Sequence, residues 1–184
     1  DLILKYKFLN IILCVNMKTP PYVKISELQQ KYNLKNEEKI FLGTDGSITN
    51  LLEILFNDKV IVETINQKTI DGIYYRTVIL KIKEIPMVYA TSKIPLKNIK
   101  NNELRENMSK DLLSADIPIG KILKIHNLET RREIKNITYD NINKNVQQYL
   151  KTTKTELPQR TYNIIYKNDI LMELIEIFNV GEYL

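Results

Sequence analysis

The sequence has very little of the residues that build metal centres and disulfide frameworks. Cys14 is the single cysteine and His126 the single histidine among 184 residues. A lone cysteine cannot form an internal disulfide, and one isolated histidine cannot supply the ligand spacing of a zinc site. No nucleophile motif surrounds His126, so a catalytic triad has no basis in the sequence. We therefore expect no metal and no cofactor, and we assign His126 a structural or surface role.

Arginine is also scarce, because only five of the 27 basic residues are arginines and the rest are lysines. The formal net charge is +5, but the lysines are scattered among asparagines and isoleucines. A nucleic-acid interface normally places basic residues on one face with aromatic residues between them. We therefore expect no nucleic-acid partner, and the net charge favours capture of a small dianion.

Long apolar runs are missing as well. The most apolar stretch, residues 2–15, is interrupted by Lys5, Lys7 and Asn10. It is shorter than the roughly 20 apolar residues of a membrane span, and no small-residue cleavage site of a signal peptide follows it. We expect a cytoplasmic protein without a membrane span. The length fits one domain over residues 1–184, and the oligomeric state stays open, with a homodimer as one alternative.

Apolar periodicity predicts an α+β fold. Helices are expected behind Ser26, with Ile25, Leu28 and Tyr32 on one side, and behind Ser47, with a third, amphipathic helix over 98–114. β-branched and aromatic runs predict strands at 60–65, 72–83, 87–94, 128–138, 160–166 and 170–178, with hairpin turns near 83–86 and 167–169. A single antiparallel sheet of about six strands with helices packed on one side follows. The polar stretch 139–158 is interpreted as a lid or a disordered loop.

Arg76 lies in the middle of the most apolar of these strands. A guanidinium group in such a place needs an anionic partner, because an unpaired buried charge is costly. A cross-strand salt bridge is one explanation. The other explanation is bidentate binding of a substrate carboxylate by the guanidinium group.

Glu173 raises the same question on the final predicted strand, between Met172 and Leu174. A carboxyl group in apolar surroundings can hold or pass a proton near neutral pH. An ion pair with Arg76 or Arg160 is the structural alternative. Glu176 competes for either role, although strand alternation places it on the opposite face from Glu173.

Two loops are candidates for backbone contacts with a ligand. Residues 44–49 are predicted to join a short strand to a helix, whose free amides could hold an oxygen atom, but the loop lacks the glycines and lysine of a phosphate-binding loop. Capping by Ser47 is the more frequent explanation. Residues 117–121 read as a turn in which Gly120 lets the backbone approach a ligand closely.

Taken in order, several short segments resemble the chorismate pyruvate-lyase family. The resemblance extends from about residue 40 to the C-terminus, and residues 1–40 resemble no known pattern. The matching segments are TDGSITNLLE (44–53), YYRTV (74–78), IPMVYATS (85–92), IPIGKIL (117–123), RTY (160–162) and ILME (170–173).

The resemblance implies a cofactor-free lyase with its ligand enclosed beneath flaps. Chorismate would lose its enolpyruvyl group as pyruvate, and the ring would become 4-hydroxybenzoate. Arg76 would pair with the ring carboxylate, and Glu173 would contact the oxygen at the other end of the ring. Our own hypothesis adds that Glu173 donates or shuttles the catalytic proton. The resemblance implies that the backbone near Ile48 and Ile119 completes the pocket. Further candidate ligand-binding residues in the two loops and on the third strand are Ser47, Thr49, Thr91 and Gly120.

The sequence departs from the bacterial pattern at two places. Thr91 stands where those members have an arginine, with Lys93 nearby as a substitute, and the stretch 141–157 is longer than its counterpart. Loss of a cation matters because chorismate carries two carboxylates.

Two rival functions stay open. One is an effector-sensing domain of a transcription regulator that binds a small aromatic carboxylate without turnover. Residues 1–40 lack a helix-turn-helix pattern, so such a regulator would need a partner chain. The other is a structural protein in which Arg76 and Glu173 pair with each other and leave no cavity.

Overall fold

The computed structural model describes residues 19–114 and 117–183. The apolar stretch 2–15 with Cys14 lies outside the described residues. Within the described ranges, no helix is long and apolar enough to cross a membrane.

The described residues contain one six-stranded antiparallel sheet with the strand order β1-β2-β3-β6-β5-β4. The predicted α+β class is confirmed. The first strand continues well past the predicted end at residue 65, because its polar second half pairs with β2 along its whole length. The strands are β1 Ile61–Ile70, β2 Ile73–Ile82, β3 Ile85–Pro95, β4 Arg131–Asn141, β5 Glu156–Tyr166 and β6 Asp169–Phe178.

Tight turns with left-handed backbone join the consecutive strands of the hairpins. Lys83 and Glu84 between β2 and β3 have φ angles of 48° and 64°, and Lys167 and Asn168 between β5 and β6 have 48° and 67°. Two central residues with positive φ define the type I′ turn, whose twist matches that of the strands. Both predicted hairpins are therefore confirmed.

Glu84→Gly is expected to stabilise the protein by about 1 kcal/mol, because a side chain in the left-handed region costs about that much. Glu84 is an exposed residue whose carboxylate lies 3.7 Å from Lys81 Nζ, so little else is lost. Urea unfolding measures the change in the free energy of unfolding. Glu84→Ala serves as the control, and an equal gain from alanine would contradict the backbone explanation.

Five helices cover one face of the sheet, which we call the inner face, in the part of the chain that the structure describes. The first begins at Pro21 with Pro20 as its N-cap, so the predicted cap at Ser26 is wrong. Proline fits the first helical position because the missing N–H has no partner there in any case. These helices are α1 Pro21–Tyr32, α2 Asn36–Gly43, α3 Ile48–Phe56, α4 Asn102–Leu113 and α5 Ile119–Ile125.

The inner face carries two separate hydrophobic clusters. In the first core cluster, α2 and α3 pack on one end of the sheet, with Phe41, Leu52, Leu80, Val88 and Phe178 buried together. In the second core cluster, α4 and α5 pack on the other end, with Ile94, Met108, Ile122, Ile164 and Leu174. The two clusters lie at opposite ends of the inner face, and the middle of that face lies between them.

The stretch expected to be a lid or a disordered loop contains a helix, α6 Lys144–Leu150. Asn143 caps it by accepting a hydrogen bond of 3.0 Å from the Val146 amide. Val146 packs with Tyr89 and Ile177 on the outer face of the sheet. The sequence did not predict this helix, because only a few of its residues are apolar. Those few residues are buried against the strands.

Candidate functional site

A closed pocket lies in the middle of the inner face, between the two core clusters. Its floor comes from the strands, and its roof is formed by the starts of α3 and α5. It encloses about 60 Å³. The polar strand residues that line it are Arg76, Thr91, Ser92, Arg132, Tyr162 and Glu176.

Arg76 lines this pocket from β2 and is only 3% exposed. Its Nη1 donates a hydrogen bond of 2.9 Å to the carbonyl oxygen of Ile117, and Nη2 donates one of 3.3 Å to Thr64 Oγ1. These bonds fix the guanidinium group between the sheet edge and the segment that leads into α5. A cation is thus held at one side of the pocket.

Glu176 lines the pocket from β6 and is 4% exposed. One carboxylate oxygen accepts a hydrogen bond of 2.7 Å from Arg160 Nε, and the other accepts one of 2.9 Å from the Tyr162 hydroxyl. A carboxylate has about four acceptor positions, so further capacity exists on the pocket side. Glu176 is therefore an oriented anion with room for another donor.

Arg160 and Tyr162 hold this carboxylate from β5. Arg160 is 1% exposed, and its Nη1 also donates to the carbonyl oxygens of Phe41 and Thr44. Burial, and next the negative charge of Glu176, raise the pKa of the Tyr162 phenol above its usual value of 10.0. The hydroxyl consequently stays protonated at neutral pH and keeps donating to Glu176.

Arg132 stands where the closed pocket meets an open groove of about 830 Å³. Ser47, Gly120 and Arg132 line both spaces. The Nη1 of Arg132 donates a hydrogen bond of 3.1 Å to the Asp45 carbonyl oxygen. Its Nε is buried and has no hydrogen-bond partner among the residues that the structure describes.

The roof brings the two candidate loops together. Residues 44–49 connect α2 to α3, not a strand to a helix as expected, because residues 36–43 are helical. Ser47 caps α3 as predicted, accepting a hydrogen bond of 3.3 Å from the Asn50 amide. Residues 117–121 are not an isolated turn, since Pro118 is the N-cap of α5. A Cβ atom on Gly120 would lie 3.5 Å from Ser47 Oγ, so the two helix starts adjoin.

The pocket lining includes Arg76 and both predicted loops, but it does not include Glu173. The predicted residues that line it, besides Arg76, are Ser47, Ile48, Thr49, Thr91, Ile119 and Gly120. Glu173 instead lies on the outer face, where its Oε1 is 2.9 Å from Lys93 Nζ and its side chain is 44% exposed. Side chains alternate along a strand, so Glu176 reaches the inner face and Glu173 cannot. The structural alternative for Glu173 was also wrong, because its partner is Lys93.

His126 ends α5 and contacts Asp111 of α4, with 2.7 Å between His126 Nε2 and Asp111 Oδ2. This pair joins the two helices of the second core cluster, which agrees with the structural role expected of His126. The partner was missed because it is 15 residues away in the sequence.

Sequence reasoning also missed Arg132 and Tyr162 as pocket residues. Tyr162 follows Arg160 at a spacing of two, which places both on one face of a strand. Arg132 alternates with exposed Arg131 in the same way. The alternation of side chains along each strand therefore showed which residues share a face. It did not show which face points toward the pocket, because that depends on how the strands pair.

A comparison with protein families assigns the chain to a family. A family model described as "Chorismate pyruvate-lyase Rv2949c-like" matches residues 42–184, which is well over half of the chain. The chain belongs to this Rv2949c-like family. A relative in Methanocaldococcus jannaschii, named "Putative lyase MJ0807", is 59% identical over 159 residues, covering 86% of each chain. The protein is thus a member of a lyase family.

Solved structures extend the likeness at the level of the fold. PhnF from Mycobacterium smegmatis has a TM-score of 0.53 at 12% identity, covering 73% of this chain and 64% of that chain. The effector domain of PhnF gives a TM-score of 0.50 at 12% identity, with 72% and 88% covered. The Rv2949c-like family member therefore shares its fold with the effector domain of PhnF.

Proposed function

We propose that the protein converts chorismate to 4-hydroxybenzoate and pyruvate. The observation that carries the proposal is the placement of a buried cation, Arg76, and a buried anion, Glu176, in one pocket on strands two positions apart. Neighbouring strands lie about 4.8 Å apart, so the two backbones are separated by about 10 Å across the sheet. A ring with a carboxylate at one end and a hydroxyl group at the other can bridge these two groups.

In this arrangement Arg76 binds the ring carboxylate. A guanidinium group forms two parallel hydrogen bonds with a carboxylate, and such charge-assisted bonds are among the strongest in proteins. The roof contributes the first amides of α3 and α5, near Ile48 and Ile119, because the first N–H groups of a helix have no partner within the helix. Together they fix the ring before reaction.

Glu176 replaces Glu173 in the proposed mechanism and accepts a hydrogen bond from the ring hydroxyl. Elimination breaks the bond between the ring carbon and the enolpyruvyl oxygen, and the adjacent ring carbon that carries the hydroxyl loses its hydrogen as a proton. We assign Glu176 the transfer of this proton to the departing enol, which then becomes pyruvate. The electron count is unchanged, and aromatisation of the ring supplies the driving force. The protein mainly orients the substrate and stabilises charge.

The closed pocket is smaller than the roughly 300 Å³ or more that ligand sites usually enclose. Entry of a ring therefore requires the roof over Arg76 and Glu176 to move outward. Such a movement would separate the starts of α3 and α5, which belong to different core clusters. This agrees with the enclosure beneath flaps that the resemblance implies.

The proposal is tested by incubating the purified protein with chorismate and separating 4-hydroxybenzoate and pyruvate by chromatography. Equal amounts of both products are expected. Binding of 4-hydroxybenzoate without any turnover would instead support the effector-sensing alternative. Failure to bind or to convert would exclude both functions.

Arg76→Met is expected to weaken 4-hydroxybenzoate binding about 10- to 100-fold, because a charge-assisted contact contributes about 1.5–3 kcal/mol. Isothermal titration calorimetry measures the dissociation constant. Arg76→Lys is the matched control, since it keeps the charge but loses the paired geometry, and should show an intermediate loss. Unchanged affinity in the methionine variant, with a native circular dichroism spectrum, would contradict the assignment.

A further inference from the structure

Of the three charged residues that line the pocket, Arg76, Arg132 and Glu176, the proposed reaction gives a role to all but Arg132. It lies on β4, and the sheet order places β4 two positions from β6, on the side opposite to β2. Glu176 of β6 thus lies between two arginines, Arg76 to one side and Arg132 to the other. In the order of the strands the charges are cation, anion, cation, and the register sets Arg132 opposite Met172, which precedes Glu176 by four residues on β6.

Chorismate has the matching order of groups. Its hydroxyl group lies opposite the ring carboxylate, and the carbon next to the hydroxyl carries the enolpyruvyl ether with the second carboxylate. If Arg76 holds the ring carboxylate and Glu176 the hydroxyl, the second carboxylate projects sideways from the hydroxyl end. We propose that Arg132 binds this second carboxylate and so makes the site selective for a dianion. This inference rests on the proposed function and deepens it.

The contacts of Arg132 leave it able to do so. Its hydrogen bond to the Asp45 carbonyl oxygen uses Nη1 and anchors the side chain beneath the α2–α3 loop. The Nε group is buried beside the pocket without a partner among the described residues. An unmet buried donor costs free energy, which a carboxylate at this position recovers. Arg132 thereby fills the place of the cation missing at Thr91, where Lys93 is bound to Glu173 on the outer face.

The open groove next to Arg132 supplies the space for the three-carbon side chain. Its rim is basic, with Lys124, Arg131 and Lys167 against the single acidic residue Glu129 among its lining residues. A groove lined mainly by positive charges attracts anions. The ring therefore occupies the closed pocket, and the side-chain carboxylate faces the groove from which it departs as pyruvate.

The test uses a stable probe, 3-(carboxymethoxy)-4-hydroxybenzoate, which carries both carboxylates but is already aromatic and cannot react. Calorimetry compares its affinity with that of 4-hydroxybenzoate for the full chain and for Arg132→Gln. The unmodified protein should bind the dianion about 10- to 100-fold more tightly than the monoanion, and Arg132→Gln should remove this preference. Affinity for 4-hydroxybenzoate should change by less than about twofold in the variant.

Arg105→Gln is the matched control, because it removes the same charge from α4, at a residue that lines neither the pocket nor the groove. It should keep the preference for the dianion. Absence of a preference in the unmodified protein, or a preference that survives Arg132→Gln, would overturn the inference. Because binding of the inert probe does not require turnover, a negative product assay would reject the proposed reaction without deciding the role of Arg132.

Discussion

Glu176→Gln is expected to slow formation of 4-hydroxybenzoate about 10²- to 10⁴-fold, the range typical for loss of a positioned acid–base group. Glutamine keeps an oxygen that can accept from Tyr162 and from the substrate hydroxyl, but it cannot carry a proton between the ring and the leaving group. Turnover should therefore fall much more than affinity for 4-hydroxybenzoate. Steady-state rates and calorimetry on the same preparation separate the two effects.

Glu173→Gln is the control that the sequence offers, three residues earlier on the same strand. Its ion pair with Lys93 is half exposed, and such pairs contribute little, so activity should stay within about twofold of the unmodified protein. The two variants differ in the face of β6 that they alter. Equal losses in both variants, or a loss in Glu173→Gln alone, would refute the assignment of the proton-carrying role to Glu176.

Arg160→Met is expected to lower the free energy of unfolding by about 3–5 kcal/mol, because it leaves the buried carboxylate of Glu176 without its ion partner. The carbonyl oxygens of Phe41 and Thr44 lose their donor in the same variant. For a chain of this size each kcal/mol changes the melting temperature by about 2–4 °C, so thermal unfolding detects the effect easily. Urea unfolding gives the free energy directly.

The double variant Arg160→Met with Glu176→Gln completes a double-mutant cycle, which measures the coupling free energy between the two residues. Removing both charges avoids an isolated buried ion, so the double variant should be more stable than the sum of the two single losses predicts. Strict additivity would show that the ion pair of 2.7 Å between Arg160 Nε and Glu176 Oε2 contributes no coupling free energy.

The fold was predictable where local chemistry decides it. β-branched runs located the strands, and short polar turns located the hairpins, because strand pairing across a tight turn is a local matter. The helix α6 was missed because Val146 and Leu150 become apolar anchors only when Tyr89 and Ile177, distant in sequence, pack against them. The wrong cap at Ser26 had a similar origin, since a plausible polar residue was preferred to the two prolines at 20 and 21.

The site was predictable in part, for a physical reason that Glu173 illustrates. Both faces of β6 are largely apolar, since helices lie on the inner face and α6 covers part of the outer one. The residues flanking Glu173 and Glu176 therefore look alike in the sequence. Only the pairing of Glu176 with Ala90 on β3 and with Arg160 on β5 reveals which carboxylate faces the pocket.

The position of β6 has a consequence for the order in which the protein is assembled. β6 follows all the other strands in the chain, yet it lies between β3 and β5 and joins the two halves of the sheet. During synthesis the strands with Arg76 and Arg132 emerge earlier, but they remain two unconnected ribbons until β6 inserts. The strand that closes the sheet is also the one that delivers Glu176. Completion of the sheet and placement of Glu176 on the inner face are thus a single event.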